Sequence, residues 1–365
     1  MSKRAKRTSL ASLAKELGVS RTTVSNAYNH PEQLSARLRE KILETAERMG
    51  YPGPDPTARS LRTKRVGAVG VLLTEHLTYA FEDLASVDFL AGMAEASYGS
   101  QTSLTLVPVG PNTTDVLSAR QLVNSAVVDG FVVYSVAKDD PYLVAARTRG
   151  LPIVICDQPA DDLELPFVGI DDRAAIGPAA QALVDAGHTK IGILCIRLDT
   201  QPNNGPVSAE RLENAHHHVQ RSRVLGALDV FGNAGIDPAD VPIVERHIND
   251  PENNIDAARE LLEQNPELTA VLCTTDTMAL GVIGYTKSQG ISVPEQLSVT
   301  GFDGIAPALT MGLSTVIQPN KDKGKHAGRM LASLLNTGDE AVEGNQRVLL
   351  EYTYNEGTTV AAPRA

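Results

Sequence analysis

Residues 8–29 read TSLASLAKELGVSRTTVSNAYN, and residues 53–62 read GPDPTARSLR. In the first stretch Leu10, Leu13, Ala14 and Leu17 fall at i, i+3, i+4 and i+7, which is one apolar helical stripe. Thr8 or Ser9 can cap that helix with a side-chain oxygen, Gly18 supplies a turn, and Val19 can fill the angle between two helices. Ser20 then caps a second helix, with Val24 and Ala27 inward and Arg21, Thr22, Ser25, Asn26 and Asn29 on a polar face. Ser35 opens a third helix with Leu38, Ile42, Ala46 and Met49 turned inward. The pattern predicts a helix-turn-helix. Its second helix suits the major groove of DNA, where Arg pairs with guanine and Asn with adenine edges.

Charge supports this reading. Residues 1–65 hold 14 Lys+Arg against 6 Asp+Glu, a net +8, whereas the remaining 300 hold 19 against 38, a net −19. A basic head on an acidic body is the footprint of phosphate contact by the head alone. The second stretch is led by Pro52, Pro54 and Pro56, which keep the chain extended and withhold backbone donors. TARSLR is too short to hold a helix alone, since isolated helices below about 12 residues are marginal. A segment that is helical only against a partner is a natural switch.

Three elements in order, GVSRTTVSNAYN, LSARLREKILETAERMGY and the Asp55, Ala58, Leu61 spacing of DPTARSL, resemble the headpiece of the LacI/GalR family of bacterial transcription regulators. Asp55 stands where that family usually has Asn. The resemblance implies that Arg21, Thr22 and Asn26 read bases and that Thr23, Ser25, Asn29 and Tyr51 contact backbone phosphates. It also implies a hinge helix at 57–62, formed only on operator DNA beside a second subunit's hinge. Ala58 would lie in that helix, and Leu61 would wedge between base pairs in the minor groove.

The body is long enough for two or three compact units in all. Cys156, Cys195 and Cys273 lie far apart in apolar runs, form no CxxC pair and read as buried thiols of a reducing compartment. MSKRAKRTS has no apolar run behind it, so no secretory signal is expected, and no run approaches a membrane span. The expected location is the cytoplasm. From Val66 onward, strand-like VGAVGVLL, SLTLVPV, GFVVYSV, PIVICD, KIGILCI, TAVLCT and LSVTGFD alternate with amphipathic stretches. That rhythm argues for parallel sheets covered by helices on both faces, with a ligand beyond the strands' carboxyl ends.

FVGIDDRAA, ALVDAGHTKIGIL, CTTDTMALGVI and VPEQLSVTGFDG resemble the effector domain that follows this family's headpiece. The implied fold is an α-helical helix-turn-helix headpiece plus an α/β two-lobed periplasmic-binding-protein-like (type I) effector domain. The expected division is 1–53 headpiece, 54–65 hinge and 66–365 effector-binding and dimerisation domain. Chain crossovers are expected near 170–174, 300–304 and 318–322, giving lobes of about 66–172 plus 302–320 and 173–301 plus 321–365. By position Asp172, Arg223, Thr275 and Asp303 match residues that hold the family's effector. Acidic groups at strand ends suit the hydroxyls of a sugar or polyol. Asp276 reads as the cap of the helix beginning Thr277-Met278, and Asp171 as a cap in the same way. Tyr79 and Phe81 can offer a stacking face.

One region departs from the family pattern: residues 197–220 are longer than the usual loop and contain His216-His217-His218. Adjacent side chains diverge and no Cys or HxxxH partner is near, so no metal is expected there, and the segment reads as a solvated helix cap or a lid over the cleft. No GxSxG, GxxxxGKS or post-strand GxGxxG is present, so neither an enzyme nor a cofactor is expected. A transport-type binding protein would have no use for the basic head. The expected partners are near-palindromic double-stranded operator DNA, a small effector and further copies as a homodimer or tetramer, without a membrane. FVVYSV, VVYSVAKDDPYL and TEHLTYAFED are similar to a subgroup of actinobacterial regulators. That likeness implies a link to inositol-derived lipid formation and makes a cyclic polyol such as myo-inositol a candidate effector, with nucleosides or purines as the alternative.

Overall fold

The computed structural model describes residues 8–55, 60, 64–73, 77–99, 102–108, 115–337 and 346–364. The chain divides into two compact units, Met1–Gly67 and Ala68–Ala365. In the first, helices α1 (Leu10–Leu17), α2 (Arg21–Asn29) and α3 (Ala36–Arg48) begin where short polar side chains can take an unpaired helical N–H. Ser9 caps α1 and Ser12 bonds back to it, while Ser20 and Ser35 cap α2 and α3. Thr8 has a different task, donating its hydroxyl to the carbonyl of Met49 at 2.6 Å and so tying the start of α1 to the end of α3. Gly18 leaves α1 at φ +69°, a backbone that other residues adopt at a cost. Leu13, Ala14, Val24, Ala27, Ile42 and Ala46 form the buried core, with Leu10, Leu17, Val19, Leu38 and Met49 packed around it.

The second unit is built on two sheets. The chain first lays down β1 (Ala68–Leu73), β2 (Ser103–Pro108), β3 (Gly130–Tyr134), β4 (Ile153–Cys156) and β5 (Phe167–Gly169). It continues through β6 (Ile191–Ile196), β7 (Gly205–Pro206), β8 (Ile243–Arg246), β9 (Ala270–Cys273), β10 (Ser298–Asp303) and β11 (Ser314–Ile317). Short strands β12 (Arg347–Leu349) and β13 (Thr353–Asn355) come last. The first sheet has the order β12-β5-β4-β3-β1-β2 and the second β13-β11-β10-β9-β6-β8-β7. All pairs in the first sheet are parallel, and the second is parallel except where β7 and β13 close its edges. Strands buried on both faces explain the near-continuous apolar runs of β1, β3, β4 and β9.

In each sheet the strand order reverses beside the first strand, between β1 and β3 and between β6 and β9. Such switch points open a crevice at the strands' carboxyl ends. The two crevices supply the walls of one cleft.

The lobes are not divided as the sequence suggests. Crossings after β5 and after β11 fall near the expected positions, but 300–304 is no crossing. β10 and β11 pair in one sheet, Thr300 beside Ser314, joined by the short helix Ala306–Thr310. Residues 304–317 therefore belong to the second lobe. Helix Asn320–Thr337 packs on helix Leu84–Ser97 and on β3 and β4, placing it in the first lobe. Gly324 and Gly92 permit that approach: a Cβ on either would lie about 2 Å from the other helix's backbone carbonyls. The third crossing lies between β12 and β13, at 350–352. Strands of three or four residues carry too little periodicity to announce the sheet they join.

Candidate nucleic-acid interface and ligand cleft

The polar face of α2 is held ready by bonds within the headpiece. Arg21 and Thr22 are exposed. Thr23 Oγ1 lies 2.8 Å from Ser20 Oγ, and Asn29 Nδ2 donates to Ser25 O and Oγ at 3.0 and 3.1 Å. Asn26 Nδ2 donates to Gln33 Oε1 at 2.8 Å. Gln33 closes the 3-10 turn Pro31–Gln33, and sequence reading missed its part in orienting Asn26. Tyr51 packs edge-on to Tyr28 with ring centroids 6.1 Å apart, and burial raises its phenol above the usual range. Ala58 and Leu61 lie outside the described residues, as do the side chain of Tyr79 and most of the hinge.

In the second unit, three of the expected effector residues meet at one guanidinium. Arg223, buried on helix His218–Asn233, donates from Nε to Asp172 Oδ1 at 2.9 Å and from Nη1 to the carbonyl of Thr274 at 2.8 Å. Asp303 Oδ1 is 3.6 Å from the same Nη1, and the guanidinium sits 3.8 Å above the Phe302 ring. The network continues: Gln318 Nε2 donates to Asp303 at 2.6 Å, and Lys323 Nζ reaches Gln318 Oε1 at 2.5 Å and Asp157 Oδ1 at 2.7 Å. Lys323 has no exposed surface. On an amphipathic helix it reads as a solvated lysine, and no local signal marks it otherwise.

Burial pushes the carboxyl of Asp303 well above the usual range, against the pull of Arg223, and raises Asp172 and Asp83 for the same reason. Four acidic side chains, Asp83, Asp157, Asp172 and Asp303, stand in or beside the cleft with the cations of Arg223 and Lys323. Such a set can accept several hydroxyl hydrogens and disfavours added negative charge. Ser135, Asp157 and Asp303, at or just past the ends of β3, β4 and β10, have φ of +55°, +67° and +130°. Non-glycine residues persist there when their surroundings over-determine them, which is common at ligand sites.

Thr275 lines the cleft too, but its hydroxyl accepts from Met278 N and caps helix Asp276–Ser288. Asp276 is not the cap that the sequence suggests. It lies one residue inside the helix, and its carboxylate accepts from the N–H groups of Gly304 and Ile305 and the hydroxyl of Thr315. Asp171 does cap its helix, accepting from Ala174 N. Phe81 is 60 % exposed, and the nearby cavity walls come instead from Thr78, Glu82 and Asp83. The central cavity, about 80 Å³, shares Asp83 and Asn249 with a larger, mainly apolar one of about 570 Å³ lined by Ile248, Pro251, Ile255 and Leu280.

Residues 197–217 are anchored to the second sheet, although about half of them are solvent-exposed. β7 pairs with β8, and the fully buried Glu245 gathers Arg211 at 2.5 and 2.8 Å, Leu198 N at 2.8 Å and Asn203 Nδ2 at 3.1 Å. His217 is buried rather than a solvated cap, and its side chain does not cap the helix that follows. His216 bonds Asp199 at 2.7 Å.

Residues 66–352 match the family model of periplasmic binding proteins and the sugar-binding domain of the LacI family. The chain is 61 % identical over 353 residues to the HTH-type transcriptional regulator IpsA of Corynebacterium glutamicum, covering 96 % of this chain and 97 % of that protein. A crystal structure of a LacI-family transcriptional regulator from the same organism superposes with a TM-score of 0.77 at 57 % identity, over 96 % of this chain and 98 % of that one. The lac repressor dimer bound to operator and the anti-inducer ONPF superposes at 0.78 with 21 % identity, over 98 % and 100 %, a likeness of fold. Among the described residues no helix is long and apolar enough to cross a membrane.

Proposed function

The chain belongs to the LacI family of transcriptional regulators, and on that premise we propose that a small, uncharged polyhydroxylated effector in the cleft controls its affinity for operator DNA. The observation that carries this reading is the buried carboxylate set around Arg223 at the strand ends of both lobes. Asp172, Arg223, Thr275 and Asp303 hold the effector, and the excess of carboxylates favours hydroxyls over phosphate or carboxylate groups. On the DNA side Arg21, Thr22 and Asn26 read base edges, while Thr23, Ser25, Asn29 and Tyr51 fix the register on phosphates. Paired hinges in a homodimer insert Leu61 into the minor groove of a near-palindromic site. As a DNA-reading switch without catalytic chemistry, the protein works in the cytoplasm.

Effector and operator prefer different lobe arrangements, so each changes the other's binding by one factor. A thermal-shift screen of sugars, inositols and nucleosides, followed by operator titration with each hit, tests the reading. A polyol, myo-inositol first among them, is expected to stabilise the protein and move the operator titration. A response to purines alone rejects the polyol reading and leaves the regulator. For the hinge, Leu61→Ala is expected to weaken operator binding and reduce DNA bending; unchanged values of both would remove the wedge.

A further inference from the structure

The residues that present Arg223 to the cleft raise a question of support. Helix His218–Asn233 starts without a side-chain cap of its own, because His217 makes no such bond. Uncapped first-turn N–H groups are costly when they are buried. The missing acceptor comes from the other lobe. Gln158, two residues beyond β4 and almost fully buried, accepts from Val219 N at 3.0 Å through Oε1. Its Nε2 lies 3.1 Å from His217 Nδ1 and donates to the carbonyl of Ser135 at 3.0 Å.

These contacts assign each atom. Val219 N–H can only donate, so Oε1 faces it and the amide nitrogen faces Ser135 and His217. His217 Nδ1 must then accept, which puts its proton on Nε2. Burial, with Arg197 adding to it, pushes His217 down to about 3, so the ring is neutral. The backbone behind His217 is anchored as well: His217 N donates to Leu198 O, and Leu198 N donates to Glu245. One turn further on, Gln220 accepts from the Thr274 hydroxyl at 2.6 Å and Arg223 donates to the Thr274 carbonyl.

From this geometry we infer that Gln158 is a positioning residue for effector binding: a helix cap supplied across the cleft, which holds the turn carrying Gln220 and Arg223 only while the lobes are together. Separation of the lobes removes both inter-lobe bonds at once and frees the first turn. The 197–217 insertion serves as the platform that sets His217 and Val219 within reach of the amide. The inference concerns the support of the effector residues and goes beyond the identity of the effector.

Hydrogen exchange on the ligand-free full-length protein tests it. Gln158→Leu keeps the volume and removes all three bonds. It is expected to speed exchange of the Val219 and Gln220 amides roughly tenfold, leaving the β1 and β3 peptides unchanged. In Gln158→Glu the new carboxylate still accepts from Val219 but faces the lone pair of Nδ1 and the Ser135 carbonyl. As pH falls from about 8 to about 5, the carboxyl and His217 are expected to share one proton and restore protection, after correction for intrinsic exchange. Arg197, His216 and His247 oppose that uptake and Asp199 assists it. A merely structural residue would give no such recovery. Unchanged exchange in the leucine variant, loosening spread evenly over the whole second unit, or a glutamate variant indifferent to pH would each overturn the inference. Should the leucine variant not fold, the glutamate variant decides alone. Calorimetry with myo-inositol separates the two readings. Failure of myo-inositol to bind the unmodified protein counts against the effector, while the exchange result still judges Gln158.

Discussion

Helix α2, proposed to read DNA, and helix His218–Asn233, which lines the cleft, do opposite things with their polar side chains. On α2 the bonds of Thr23, Asn26 and Asn29 reach residues no more than seven positions away, and the face stays partly open. On helix His218–Asn233, Arg223 bonds Asp172 and Thr274, each 51 positions distant, and Val219 bonds Gln158, 61 positions distant. A reading face can be assembled by one short stretch of chain because its partner is outside the protein. A buried binding site cannot, because each charge it carries must be neutralised by another element of the fold.

The contrast predicts where substitutions are felt. Arg223→Ala leaves Asp172 and Asp303 without their shared cation and is expected to cost about 3 kcal/mol or more in urea unfolding of the second unit, together with effector response. A loss below about 1 kcal/mol would mean that the carboxylates are already neutral and that the network is weaker than its geometry implies.

Proton linkage gives the next effect. Asp140 caps helix Pro141–Thr148, and burial raises it from 3.8 to about 6. The folded state then holds the proton more tightly than the unfolded one, so the stability contribution is present below pH 3.8 and lost as pH rises through about 6. Asp140→Asn keeps the cap and removes the titration. Relative to the original protein the variant is expected to gain up to about 3 kcal/mol between pH 4 and pH 7, and parallel stability curves would contradict the shift.

Effects on α2 are smaller and of another kind. Arg21→Ala is expected to lower operator affinity by about 1–3 kcal/mol and to flatten preference at one base pair, with effector-dependent stabilisation unchanged. A uniform loss across sequences would move Arg21 from base reading to phosphate contact. Ser20→Ala removes only the cap of α2 and is expected to cost the headpiece about 1 kcal/mol in thermal unfolding. If it also altered effector response, the division between local and distant support would fail.

The same division separates what could be read in the sequence from what could not. Ser9, Ser20, Ser35 and Gly18 announce the headpiece because capping and left-handed turns depend on neighbours in the chain. The resemblance singles out Asp172, Arg223 and Asp303, and their meeting at one guanidinium needed the folded chain. Asp276 was misassigned by a single position: Thr275 and Asp276 are both good caps, and only the demand of the Gly304–Ile305 turn decides between them. Gln158 and Lys323 give no sign at all, and the histidine triplet marks His217 without its partner, since those partners come from other elements. The 300–304 crossing failed for a related reason, because β11 to β13 are too short to carry a period.

The placement of β12 and β13 bears on how the protein is made. The last strand of the first sheet and an edge of the second both come from residues 347–355. Synthesis proceeds from the N-terminus at roughly 5–20 residues per second. The compact headpiece can therefore close while its own ribosome is still adding the body, and neither sheet has its full set of strands until residues 347–355 have been added. Until those strands have been added the nascent chain carries a finished, basic helix-turn-helix unit tethered to an unfinished sensor.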